Sequence, residues 1–162
     1  MKKSGLFLGL LVGLLVLLAA CGGKAATMAD IPAYPDAVAL EPGVDPVADT
    51  LVNNMVQDAQ VRSSVGAGGQ IEQKAYRLPA GTTWEQVQSF YNDKLGGDGW
   101  ENGLGGIAGN LAGDIMNSVN EGNELFQTGI WSKDKQTLTL IRVAESATGE
   151  DSFFLILSLA TN

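Results

Sequence analysis

Apolar residues recur along this chain with different periods, and each period predicts a different element. Val47, Leu51, Val52, Met55, Val56 and Ala59 return at the spacing of one helical face. Asp45 offers a capping carboxylate and Pro46 suits the first helical position, so a helix is predicted from 46 to about 61. Small residues over 63–69 form a loop, and 70–78 reads as a strand stopped by Pro79-Ala80-Gly81. Thr82 and Thr83 then offer capping boxes with Glu85 and Gln86. Trp84, Val87, Tyr91 and Leu95 follow one face of that second helix, Phe90 lies beside them, and Gly96 ends it.

A turn, Gly96-Gly97-Asp98-Gly99, delivers Trp100 into a further strand. The segments 124–132 and 136–144 flank the polar Lys133-Asp134-Lys135, which predicts a hairpin. The last strand candidate, 152–160, contains Phe153-Phe154-Leu155-Ile156-Leu157, apolar on both faces, and so belongs at a sheet centre. Together these elements predict an α+β domain: an antiparallel sheet of about four to five strands carrying two amphipathic helices. One stretch stands apart. Gly105, Gly109 and Gly113 are four apart, while Ile107, Leu111, Ile115 and Val119 make a narrow apolar stripe. Within 103–119 this spacing would let a helix approach another helix or a bilayer closely. Asn110, Asp114 and Asn117 interrupt it, which favours a Gly-rich helical insertion covering one sheet edge.

The amino terminus has its own pattern. Lys2 and Lys3 precede an apolar run from Leu6 to Leu18, and the small pair Ala19-Ala20 leads to Cys21. A charged start, a short apolar core and a small-residue exit mark a secretory signal. Length alone leaves a retained membrane span open, since a span needs about 20 apolar residues. Leu18-Ala19-Ala20-Cys21, directly after the apolar core, resembles the lipobox of bacterial lipoprotein precursors. That resemblance implies diacylglyceryl transfer to the Cys21 thiol and cleavage before it, leaving a palmitate-type acyl anchor. It divides the chain into a signal peptide (1–20), a lipidated tether and extended lead-in (21–35), and one α+β domain (36–162). Eight flexible links over 22–29 would hold the domain about 15 Å from the membrane. The implied location is extracytoplasmic, on the cell membrane or outer membrane.

Removing residues 1–20 of the 162 leaves 142 residues with 8 basic and 18 acidic side chains, a net charge near −10. Such a surface repels phosphate backbones, which excludes nucleic acid as a partner. No histidine occurs, and Cys21 is the sole cysteine. Imidazole chemistry, an intramolecular disulfide and the common zinc, copper and haem sites are therefore closed to this chain.

Candidate chemistry is thin. Ser132-Lys133-Asp134-Lys135 has the Ser-x-x-Lys spacing of penicillin-recognising enzymes, but it falls in a predicted hairpin turn without the companion motifs. Asp93, Asp98 and Glu101 cluster near a Gly-rich turn, yet their spacing does not fit a calcium loop. No catalytic residue, metal ligand or cofactor is expected. Trp84, Tyr91 and Trp100 are the candidate lining of an apolar groove, against the commoner role of such residues as a helix–sheet seam. Tyr34-Pro35, Phe90-Tyr91 and Gly99-Trp100 resemble a pattern of small envelope lipoproteins, which implies a shared fold. The expectation is thus a non-catalytic lipoprotein, held to a membrane through Cys21, that binds or scaffolds an envelope protein. The alternative is a carrier or sensor of a small apolar ligand between helix and sheet.

Overall fold

A computed structural model describes residues 24–64, 69–103, 118, 120–145 and 152–161. Cys21, the signal and nearly all of the Gly-rich insertion lie outside the described residues. The sheet has six strands: β1 (Val38–Leu40), β2 (Gln70–Arg77), β3 (Glu101–Asn102), β4 (Phe126–Lys133), β5 (Gln136–Ala144) and β6 (Phe153–Thr161). Every pairing is antiparallel, in the spatial order β1-β2-β6-β5-β4-β3. Helix α1 (Pro46–Ser64) joins β1 to β2, and α2 (Trp84–Gly96) joins β2 to β3.

The expected α+β class holds, but the strand number of four to five does not. The added strand is the edge β1, three residues long, while β3, only two residues long, is the strand expected after the turn that delivers Trp100. Pairing with β2 and β4 makes them strands, because segments so short carry no readable period of their own. β6 occupies the interior of the sheet, where its run from Phe153 to Leu159 is buried on both faces.

The two sheet faces are covered differently. On the first, Tyr76, Trp131, Leu138, Leu140, Leu155 and Leu157 meet Trp84, Val87, Tyr91 and Leu95 of α2. The Thr83 side chain accepts from Gln86 N while the Gln86 side chain accepts from Thr83 N, so the predicted capping box forms at Thr83 and not at Thr82. The lead-in lies on this same face. Met28 and Ile31 belong to its core, Gln136 exchanges hydrogen bonds with both Ala26 N (2.8 Å) and Ala26 O (2.7 Å), and Tyr91 donates to Pro32 O. The chain is therefore docked from Ala26 onward, whereas an unpatterned sequence suggested free tether as far as Ala29.

Gly129 makes the aromatic seam possible. A Cβ at this position would lie 2.8 Å from Cζ3 of Trp131 and 3.1 Å from Cη2 of Trp84. Both rings are confined by buried neighbours and have nowhere to retreat. Gly129→Ala should cost about 2–3 kcal/mol, the scale of an overpacked core, despite alanine's better strand propensity. A lowered urea midpoint at unchanged m-value would show it.

The second face carries α1. Asp45 caps it, accepting from Val47 N (2.9 Å) and Ala48 N (3.1 Å). Its other oxygen meets Arg77 of β2 at 3.0 Å, and Arg77 reaches Glu145 at 2.7 Å. Hydrogen bonds from Ser152 and Arg77 hold the Glu145 carboxyl below the usual carboxylate range. The start of α1 is thereby tied to β2 and to the end of β5.

Candidate functional site

Trp84, Tyr91 and Trp100 are 5%, 0% and 5% exposed and belong to one apolar cluster with Trp131. The Tyr91 and Trp131 rings stand 6.1 Å apart, and Trp131 donates its indole N–H to Asn92 at 2.9 Å. Burial raises the Tyr91 phenol far above its ordinary range, so it stays protonated and donates to Pro32 O. These three residues fill the space between α2 and the sheet. Tyr34 packs edge-on against Phe90 at 5.3 Å, and Gly99 adopts a positive φ of 81° in the turn that delivers Trp100. The paired motifs that suggested an envelope-lipoprotein pattern thus fasten the lead-in and the turn to α2.

The carboxylates at Asp93, Asp98 and Glu101 are exposed and do not converge. Among the described residues no three of His, Cys, Asp and Glu are grouped closely enough to hold a metal ion. Ser132 lies in β4 opposite Glu101, and Lys133 donates to Asp98 O, so the Ser-x-x-Lys spacing falls on a strand end and turn.

Open space lies on the other face. A cleft of about 460 Å³ separates α1 from the edge formed by β1 and β2. Leu40, Ala48, Val52 and Ala75 give it an apolar lining, and Glu41 and Asp49 stand on its margin. Sequence explains why α1 seats loosely there. Of its described side chains only Ala48 is fully buried, and Leu51 and Val52 are half-buried, so the small alanine leaves room beneath the helix.

Backbone geometry gives the cleft its second property. β1 pairs with only Ala75, Tyr76 and Arg77, after which Glu41-Pro42-Gly43 leads the chain away. Among the described residues no strand pairs with that side of β2 over 70–74. The opposite edge of the sheet is closed. Asn120 donates to Thr128 O (2.7 Å) and accepts from Thr128 N (2.9 Å), imitating a neighbouring strand, while Gly103 N donates to Ile130 O. Among the described residues β4 is thus partnered along 128–132, while the outer side of β2 over 70–74 has no neighbour and its backbone groups face outward at alternate residues.

Gln73 lies where the open edge meets the cleft. Its amide nitrogen approaches Ser158 Oγ at 3.5 Å, while its buried Oε1 has no hydrogen-bond partner among the described residues. Leaving a buried acceptor unpaired costs about 1–3 kcal/mol. Gln73→Met removes that acceptor at similar volume and should stabilise the protein by about 1 kcal/mol, read as a higher urea midpoint. Sequence reasoning missed this site. The available signal was the polarity of β2, whose Gln73 shares a face with Ile71 and Ala75, and the apolar triplet Val38-Ala39-Leu40 between two turns.

No protein family, curated protein or solved structure matches the chain.

Proposed function

We propose that this protein is a non-catalytic lipoprotein, anchored on the outer side of a membrane through lipid on Cys21, that binds another envelope protein. The open edge of β2 beside the α1 cleft carries the binding part of this reading. An extended segment of a partner can continue the sheet along residues 70–74, and main-chain hydrogen bonds there would supply affinity without demanding a particular sequence. Alternate side chains of that segment would enter the cleft, where apolar groups match Leu40, Ala48 and Val52. A donor among them would satisfy Gln73 Oε1. Basic residues on the segment suit the carboxylates of Glu41 and Asp49 and a protein with 18 acidic side chains.

The anchor part rests on the lipobox at residues 18–21, and the absence of histidine from the sequence favours a role without catalysis. Among the described residues no helix is long and apolar enough to cross a membrane. The alternative of a carried apolar ligand loses its first location, because Trp84, Tyr91 and Trp131 already fill the space beneath α2.

Panning a displayed library of random peptides on the purified protein tests the binding reading. Enriched peptides should alternate apolar and polar residues, carry Lys or Arg, and lose binding to a Val52→Trp variant whose cleft is filled. Failure to enrich any peptide, or enrichment indifferent to Val52→Trp in a folded protein, would overturn it.

A further inference from the structure

Asn102-Gly103 is the sole Asn-Gly pair in the 162-residue chain. Such a pair is unusually prone to lose its side-chain amide, because a glycine without Cβ leaves its nitrogen free to reach the preceding Asn Cγ. The fold calls for glycine here. Gly103 takes a φ of 95° as the chain leaves β3, a backbone conformation that other residues rarely adopt.

Both reacting groups are engaged elsewhere in the folded chain. The Gly103 N–H donates to Ile130 O at 2.7 Å, and Asn102 Nδ2 donates to Asn92 Oδ1 at 2.9 Å. That same oxygen, on α2, accepts a second donor, the indole N–H of Trp131, also at 2.9 Å. An indole nitrogen only donates, so the Asn92 atom facing it is oxygen, and the Asn102 atom sharing that oxygen is its NH2. One carbonyl oxygen therefore ties the edge strand β3 to α2 and to the buried Trp131 of β4.

We infer that Asn102 is a deamidation site which this latch protects, and that reaction there releases β3. Once the edge opens, the Gly103 nitrogen gives its proton to hydroxide and attacks Asn102 Cγ. The new N–C bond closes a succinimide ring, the Cγ–Nδ2 bond breaks, and ammonia leaves after taking a proton from water. Water then adds to one ring carbonyl. The product is aspartate at 102, or isoaspartate where the backbone now runs through Cγ, and the net change is water consumed for ammonia released. Either product presents a carboxylate where the latch needs a donor. Against Asn92 Oδ1 it sets acceptor against acceptor, and turning the Asn92 amide to meet it would face the Trp131 N–H with an NH2 group. The two hydrogen bonds can no longer form together, so β3 is freed and the outer side of β4 loses its neighbour at Trp131 and Ser132.

Peptide mapping of the purified protein held at mildly alkaline pH measures conversion at position 102, and the same protein in urea gives the rate for the open chain. Conversion should be at least about tenfold slower in the folded protein, since attack waits on opening of the edge. Asn92→Ala removes the latch and should bring the folded rate close to the open-chain one, with circular dichroism confirming an intact sheet. Two replacements of Asn102 read the second half of the inference. Asn102→Ser keeps a donor for Asn92, whereas Asn102→Asp supplies the carboxylate of the product. Hydrogen exchange at the Gly103 amide should be about tenfold faster with Asp than with Ser, the scale of one lost hydrogen bond. Equal conversion in folded and unfolded protein, a folded Asn92→Ala that converts no faster than wild type, or equal exchange in the two Asn102 variants would overturn the inference. None of these outcomes bears on the cleft beside β2 or on the anchor.

Discussion

Cys21→Ser should abolish membrane retention of the protein. Each buried methylene contributes about 0.8 kcal/mol, so two or three acyl chains hold a protein on a bilayer for longer than its working life. On the proposed reading serine offers no thiol for diacylglyceryl transfer, and among the described residues no helix is long and apolar enough to cross a membrane in its place. The mature chain's net charge near −10 opposes adsorption to an anionic bilayer. Fractionation of cells making each version should find the wild type wholly in membranes. The variant should be found either soluble outside the cytoplasm or unprocessed, with its signal still attached. The two forms differ by the mass of residues 1–20, so a gel separates them. A cleaved variant that remained on membranes at high salt would show that another segment holds it, and the Gly-rich stretch at 103–119 would be the first to test.

Arg142→Ala should be the most damaging single replacement in the folded domain. Arg142 sits on the apolar face of β5 in line with Leu138 and Leu140, and it is buried. Its guanidinium donates to Gln127 Oε1 (2.6 Å) and Thr82 O (2.8 Å), and lies 3.3 Å from the centre of the Phe153 ring. Loss of solvent pulls its pKa below the usual arginine range, with Glu85 and Glu124 opposing that shift. Alanine would leave two buried acceptors unpaired and a cavity beside Phe153. Hydrogen bonds from a charged donor contribute about 1.5–3 kcal/mol, and truncating a large core side chain costs about 2–5 kcal/mol. A total loss of about 3–5 kcal/mol is expected, a large share of the roughly 5–15 kcal/mol that ordinarily holds a domain folded. Arg142→Met, which keeps the stem over Phe153, should cost less. Urea unfolding of both variants checks the order, and equal losses would show that the donated hydrogen bonds matter more than the packing.

The legible parts of this fold were those whose signals are local. Asp45-Pro46, the Thr83–Gln86 box and the polar turn at 133–135 each fix a backbone state within a few residues, and all three lie where the sequence places them. The two-sided apolar run of β6 also carried its own position, since burial on both faces requires neighbours on both sides. The edge strand β1 carries no such signal and exists because β2 offers it hydrogen bonds, a tertiary fact, while β3 was announced only by the turn before Trp100.

Isolated apolar residues in polar surroundings are equally silent. Met28 and Ile31 lie in a stretch of small and charged residues, and hydrogen bonds that reach across the chain to Gln136, Glu72 and Tyr91 hold them in the core. Arg142 did give a sign, being a charge at an inward position of an alternating strand. The aromatic residues marked as a groove lie buried in one apolar cluster, and sequence could not tell a lined space from a filled one. The cleft under α1 arises from the small size of Ala48 and from where β1 stops, two features that meet only in the folded chain.

A photocrosslinking residue at position 53, on the exposed margin of the cleft, addresses the central claim in the native membrane. A matching residue at position 89, exposed on the outer side of α2, serves as the reference. The account predicts a discrete protein adduct from 53 and none from 89, with the linked partner peptide extended and bearing Lys or Arg. It also predicts that Val52→Trp removes the adduct. No adduct from 53, or the same adducts from both positions, would contradict a protein-binding role for this cleft.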